Sequence, residues 1–412
     1  MSTFVALQPC FDRDERVRAY AVGYRARLPL ELSDTADPAA ASLKAVLDAL
    51  FSEGVSRVTG GQPGLLRVQR HQLGDPQLRR LDPDAMLLLI DGTNDPGAGL
   101  AAFAARPLAD AGYGLVLDVP ADGGVAASLL EWARYLLVDV AGAPAARVAP
   151  RIAALRPLGK PIIVRNAPPL STSAEWAAAG AELVQWAALA ASPKRVEQAG
   201  KGINDANALR MLGSLRDPKV HDTVLEDGFT RDLALSYELL KLVNSASVAG
   251  REIYSIGHAI RLLGRDVIYQ RLAALVLRSL GDRGVRAELS HRALVRGRFA
   301  EQMAEEVGIP KAAGPLFTVG FLSALPDLLG VPKYDLGRHV PLAPDVRAAI
   351  EHHADFYGAV LALVEAWEAE RWDGVLVRCA AEGIAPDGLA SRYLRAVAWA
   401  RTQLTGPMAA AA

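Results

Sequence analysis

Between residues 4 and about 193, short apolar runs alternate with Ala-rich amphipathic stretches, which is the pattern of β/α units. The runs over 4–8, 18–25, 65–69, 86–90, 114–119, 135–140, 161–164 and 183–186 predict strands. Helices are predicted over 38–52, with Asp37 as the cap and Pro38 at the first helical position, and over 99–111. Eight strands with helices between them imply a barrel, whose functional groups collect at the carboxyl ends of the strands. Past a charged stretch at 194–202, KRVEQAGKG, the alternation fades. Residues 204–215, 222–226, 292–306, 317–325, 343–352, 357–370 and 392–403 then carry helical spacing. The expected fold is therefore α/β followed by all-α: a barrel over 1–199, a helical domain over 200–405 and a flexible tail over 406–412.

The densest helical signal runs from Phe229 to Leu280 and predicts two helices joined by a bend. Thr230 is the expected N-cap, Leu233, Tyr237, Leu240 and Val243 recur at helical spacing, and Gly250 is the stop. Ser255 caps the second helix, and Gly264 with Asp266 offers a break before Val267 and Leu272. The wording SYELLKLVNSA at 236–246, followed by SIGHAIRLLG at 255–264, resembles the core of HDOD domains. These are metal-free relatives of HD-type phosphohydrolases in bacterial signalling proteins.

A second resemblance covers the first half. FVALQPCFDRDERVRAYAVGYRAR at 4–27 is similar to the opening of EAL domains, barrels that hydrolyse cyclic di-GMP. GYGLVLDV at 112–119, YLLVDV at 135–140, KPIIVRNA at 160–167 and AELVQWA at 181–187 follow in the family's order. The resemblance implies two metal ions held by a ring of carboxylates with an Asn and a Lys, since two hard cations must sit close together to activate water. Most of that ring is replaced. The Glu of the name-giving motif falls at Ala21, the Asn near Gln69, and the Lys position at Leu137. Asp118 and Asp139 remain, too few to hold two ions. Gln8 and Arg25 match family positions that touch the dinucleotide, with Arg165 and Gln185 at the same mouth. The plainer alternative is that these residues finish the barrel ends, Arg25 on a local acid and Gln185 on backbone.

The name-giving pair of HD enzymes is missing in context. His221-Asp222 precedes the central motif and reads as an exposed helix start. Where the resemblance expects His and Asp, GFLSALPDLLG at 320–330 has Ser323 and Ala324, and Pro326 is expected to bend or end that helix. His352 and His353 would point about 100° apart on a helix, while His352 and Asp355 would share a face. His258 and His291 read as surface or satisfied interior groups.

Composition narrows the partners. The 412 residues carry 45 Lys and Arg against 46 Asp and Glu, so no overall field favours nucleic acid or an anionic membrane. Cys10 and Cys379 stand alone, which supports neither disulfide nor zinc. The N-terminus lacks the marks of a signal peptide, and apolar runs such as 85–90 fall short of a membrane span, so a cytoplasmic protein with no membrane contact is expected. Arg265, Arg271, Arg278, Arg283, Arg286, Arg292, Arg296 and Arg298 crowd one stretch and could face an acidic partner, but no aromatic ladder accompanies them, which argues against nucleic acid. The expected function is a non-catalytic signalling adaptor without metal or cofactor. Its partners are signalling proteins, cyclic di-GMP is the alternative ligand, and a homodimer is left open. A divergent phosphodiesterase is the third reading.

Overall fold

The computed structural model describes residues 2–27, 38–120, 124–169, 171–189, 205–217, 219–231, 255–280, 284–340 and 342–405, together with Leu235, Ser236 and Leu239. The predicted cap Asp37, the charged stretch at 194–202, the stop at Gly250 and the tail at 406–412 lie outside these residues.

Eight strands close a barrel in sequence order: β1 (Ser2–Phe11), β2 (Val17–Arg27), β3 (Gly64–Arg67), β4 (Met86–Asp91), β5 (Gly114–Asp118), β6 (Ala133–Asp139), β7 (Ile162–Ala167) and β8 (Leu183–Trp186). From β2 to β8 neighbours are parallel; β1 runs antiparallel to both β2 and β8. Leu65, Leu87, Leu89, Val116, Leu137 and Ile163 fill the barrel interior, while their neighbours Leu66, Leu88, Leu117, Leu136 and Val164 are buried on the other face. Burial on both faces is why these strands read as unbroken apolar runs. Helices α1 (Pro38–Glu53), α2 (Val55–Thr59), α3 (Ala98–Asp110), α4 (Ala127–Leu130), α5 (Ala145–Leu155) and α6 (Ser173–Ala179) lie between strands. A reciprocal Thr172–Glu175 capping box, which sequence reasoning passed over, starts α6.

The barrel does not end with its own sequence. One compact unit comprises Met1–Ala190 with Arg283–Glu288 and Glu365–Arg401; the other comprises Ala191–Asp282, Leu289–Val364 and Thr402–Ala412. Each unit is thus assembled from three separate segments of the sequence. The physical reason lies in β1, which pairs with β2 from Ser2↔Arg27 onward but meets β8 only at Phe11. The remaining ribbon has an edge to cover. Trp367 Nε1 donates to the Val5 carbonyl at 2.8 Å, and the Leu7 N–H donates to the Tyr393 hydroxyl at 3.4 Å. Phe4 meets the rings of Trp367 and Trp372 at 5.5 and 5.6 Å between centroids.

The second unit is helical. The remaining helices of the chain are α7 (Asp205–Arg216), α8 (Asp222–Thr230), α9 (Ile256–Leu280), α10 (Gly284–Glu306), α11 (Ala313–Leu329), α12 (Leu336–His339), α13 (Pro344–His352), α14 (Asp355–Glu368), α15 (Trp372–Glu382) and α16 (Leu389–Thr405). Ser255 caps α9 as expected, accepting from the His258 N–H at 3.4 Å, and Gly264 breaks it with φ 76° and ψ 158°. Thr230 instead closes α8, its hydroxyl donating to the Glu226 carbonyl at 2.7 Å, because the helix begins at the extended His221. Pro326 neither bends nor ends α11 where expected; the helix runs on to Leu329 and Gly330. His353 takes a left-handed φ of 52° and ends α13, so His352 and Asp355 are not on one helix face.

The arginine-rich stretch is no open cationic face. Arg265 pairs with Asp222 at 2.7 Å, Arg292 with Asp327 at 3.0 Å and Arg298 with Glu301 at 2.7 Å, while Arg296 is buried. Arg283 lies outside the described residues. One helical segment among the described residues, Pro310–Leu329, is long and apolar enough to cross a membrane, longer than the runs noted in the sequence, and it is 72% buried.

Two predictions follow from this packing. Trp367→Ala should lower unfolding stability by about 3–5 kcal/mol, read by urea denaturation, against a change within about 0.5 kcal/mol for the exposed Val377→Ala. A loss below about 1 kcal/mol for Trp367→Ala would remove it as the clasp on β1. In the other unit, a Cβ on Gly320 would lie 2.6 Å from the Arg296 carbonyl oxygen, so Gly320→Ala should force α10 and α11 apart. The expected destabilisation is about 1–3 kcal/mol, seen as an earlier thermal transition; an unchanged midpoint would mean the crossing relaxes freely.

Candidate ligand-binding site

The parallel strands bring a ring of charged side chains to their carboxyl ends. Arg67 ends β3, Asp118 ends β5, Asp139 ends β6, and Arg165 lies on β7 in register with Asp139. Asp118 Oδ2 accepts from Arg67 Nη2 and lies 3.5 Å from Arg165 Nη2. Asp139 Oδ2 accepts from Arg165 at 2.9 and 3.1 Å and from the Asn166 amide at 2.9 Å. Asn166 turns its side chain there from a left-handed backbone, φ 59°, a conformation that Asn tolerates better than most residues. Burial pushes the Asp139 carboxyl up, but the Ala141 N–H, the Asn166 amide and the Arg165 guanidinium outweigh it and hold it below its ordinary range.

Above this ring opens a cavity of ≈570 Å³ lined by Gln8, Arg25, Gln69, Arg165 and Gln185, among others. Six of the seven residues expected at the mouth, Asp139 among them, therefore line it, and Asp118 is tied to Arg67 and Arg165 at the same strand ends. Gln8 Nε2 donates to the Glu368 carbonyl at 2.8 Å. Arg25 pairs with Asp373 at 2.7 Å, an acid 348 residues away in sequence and not a local one. Gln69 opens a 3₁₀ turn, its N–H donating to Gln72 Oε1 at 2.9 Å. Gln185 is 8% exposed on β8.

Sequence reasoning missed three participants. Arg67 was signalled only by an Arg at the end of an apolar strand, two residues before Gln69. Tyr24, whose hydroxyl donates to the Arg67 carbonyl at 2.8 Å, and Glu370, which lines the opposite wall, had no local signature.

The arrangement suits an anion better than a cation. Two divalent ions do not fit the ring, because Asp118 and Asp139 are each engaged by a guanidinium. Among the described residues no group of three or more His, Cys, Asp or Glu side chains could hold a metal ion. Cys10 lies inside the barrel, where burial pushes its thiol up to about 12, so it offers no thiolate. In the helical unit, Ser323 accepts from Arg296 Nη1 at 3.0 Å and donates to the Gly320 carbonyl at 2.7 Å. A guanidinium thus stands at the place where the HD resemblance expects metal ligands. His221 and Asp222 start α8, with Asp222 on Arg265; His258 is exposed and His291 is buried.

A carboxyl held below its ordinary range stabilises the fold above its unfolded value and loses that contribution as pH falls through the folded one. The stability difference between the wild-type chain and Asp139→Asn should therefore be present at neutral pH and shrink as pH falls below the ordinary Asp value of about 3.9, as read by thermal midpoints from neutral to acid pH. A difference independent of pH would show that the Asp139 charge adds nothing to the network.

Comparison with known proteins agrees with this organisation. The HDOD domain family matches residues 205–334. The chain is 25% identical over 385 residues to the uncharacterized protein YuxH of Bacillus subtilis, covering 90% of this chain and 92% of that protein. It is 27% identical over 195 residues to the cyclic di-GMP phosphodiesterase CdgJ of Vibrio cholerae, 47% of this chain and 45% of that protein, so it spans under half of that relative. Among solved structures, a Klebsiella pneumoniae BlrP1 calcium and cyclic di-GMP complex matches 45% of this chain and 54% of its own at 19% identity and TM-score 0.34. The PaMucR phosphodiesterase complex with cyclic di-GMP matches 45% and 94% at 15% identity and TM-score 0.36. Likenesses of this size decide nothing about the chemistry of the mouth. An eight-stranded barrel thus precedes a segment, residues 205–334, that matches the HDOD domain family.

Proposed function

We propose that this protein is a non-catalytic signalling adaptor of cyclic di-GMP circuits, acting through protein contacts of its barrel and its HDOD domain. One observation carries the reading: Asp118 and Asp139, the carboxylates at the strand ends, are paired from within by Arg67 and Arg165, with Asn166 donating to Asp139 as well. Hydrolysis of a phosphodiester on this fold would need cations where guanidinium groups stand. The exposed pair Leu100 and Phe103, 77% and 82% accessible on α3, is consistent with protein contacts.

A second reading is favoured by the cavity itself. Arg25, Arg165, Gln8 and Gln185 converge on a space of ≈570 Å³, and arginine and amide groups suit phosphate and base edges. On this reading the barrel is a cyclic di-GMP receptor that binds without hydrolysis. The name of the relative CdgJ supports the rival hydrolytic reading instead.

One set of measurements separates the three. Full-length protein with magnesium or manganese should release no linear dinucleotide from cyclic di-GMP above a protein-free blank; metal-dependent release lost in Asp118→Ala would overturn the adaptor reading in favour of the enzyme. Calorimetric titration with cyclic di-GMP, with and without chelator, then tests the receptor. Chelator-insensitive binding weakened about tenfold or more by Arg165→Ala would establish it. The absence of binding, checked by displacement of a fluorescent analogue, leaves the adaptor alone.

A further inference from the structure

One part of the mouth is built by the far end of the chain, through Ala369 and Glu370. After α14 ends at Glu368, the chain turns through Ala369 and Glu370 and re-enters a helix at Trp372. Glu370 has a left-handed φ of 56°, at a helix end where glycine or asparagine is usual. Its carboxylate is directed at the mouth. A Cβ built on Gly23 of β2 would lie 2.3 Å from the Glu370 carboxyl carbon, so the absent side chain at Gly23 makes the room that Glu370 fills. Gln8 bonds to this turn, and the Arg165 charge acts on the Glu370 carboxyl. Three residues on, Asp373 takes Arg25.

We propose that the turn from Glu368 to Asp373 is an internal competitor for the mouth, with the Glu370 carboxyl lining the space and Asp373 on Arg25, until an anionic ligand with phosphodiester or pyrophosphate chemistry displaces them. The inference rests on the receptor reading given above. Charge supports it. Arg25, Arg67 and Arg165 meet Asp118, Asp139, Glu370 and Asp373, so with the turn in place the carboxylates leave no arginine unmatched. With the turn withdrawn, the same three arginines face two carboxylates and the mouth becomes net cationic. Glu370 is also held with little surplus. Burial pushes its carboxyl up, and the Gln8 bond and the Arg165 charge do not fully offset that. The clasp formed by Trp367 and Tyr393 on β1 lies outside the turn and anchors it on both sides.

The test titrates full-length wild-type protein, Glu370→Gln, Asp373→Asn and Gly23→Ala with cyclic di-GMP and, separately, with inorganic pyrophosphate, after thermal midpoints have shown each chain folded. Removing a competitor raises the competent fraction, so Glu370→Gln should bind cyclic di-GMP about tenfold tighter or more, with a smaller gain for Asp373→Asn at the more exposed pair. Gly23→Ala, which evicts the carboxylate from the opposite side, should shift affinity in the same direction. If Gly23→Ala fails to fold, Glu370→Gln decides. Equal affinities in wild type and Glu370→Gln would overturn the competitor while leaving the receptor standing. Failure of every folded chain to bind either probe would overturn both.

Discussion

The edge of β1 is the constraint from which much of the barrel unit follows. β1 meets β8 only at Phe11, which leaves backbone groups along the rest of that edge facing outward, and an exposed strand edge is an open template for another chain. The protein answers with side chains and not with a ninth strand: the Trp367 indole takes the Val5 carbonyl, the Tyr393 hydroxyl takes the Leu7 N–H, and Phe4 packs against Trp367 and Trp372. Burial of rings of this size is among the larger single contributions to a fold, and here it joins segments more than 360 residues apart in sequence. The interleaving of the two compact units is a direct consequence.

That closure also sets the chemistry of the mouth. The returning segment brings its own carboxylates, so a ring of three arginines is met from inside by Asp118 and Asp139 and from the far end of the chain by Glu370 and Asp373. Guanidinium groups at these strand ends do for the carboxylates what bound cations would do, but they carry no water to activate. The helical unit shows the same substitution in miniature, where Arg296 bonds to Ser323 at the close crossing of α10 and α11 over Gly320. In both units an arginine of the chain itself bonds at the place where a resemblance expects metal ligands.

Both the strands and the departures from the two resemblances were legible in the sequence. Strands such as MLLLI at 86–90 are buried on both faces, so their composition alone identifies them, and Ala21, Leu137, Ser323 and Ala324 stand visibly where the resemblances expect reactive groups. Local rules failed where a residue had two compatible roles. Thr230 fits either end of a helix, and the extended backbone at His221 decided that it closes α8. Pro326 would break an isolated helix, yet α11 continues through it inside a helix buried almost throughout. The arginine-rich stretch looked like a surface because its partners Asp222, Asp327 and Ser323 lie up to 43 residues away.

By itself, then, the sequence determined the barrel, the helical half, the HDOD motif and the identity of the groups at the strand ends, because each of these is written in local periodicity or in a contiguous motif. Tertiary structure alone decided what those groups face. Arg25 and Gln8 were visible as mouth residues, but that Asp373 and the turn at Glu368–Glu370 occupy them depends on a chain return fixed by aromatic packing on β1. No spacing rule reaches across 348 residues, since such contacts are selected by the burial of surfaces and not by the order of the chain.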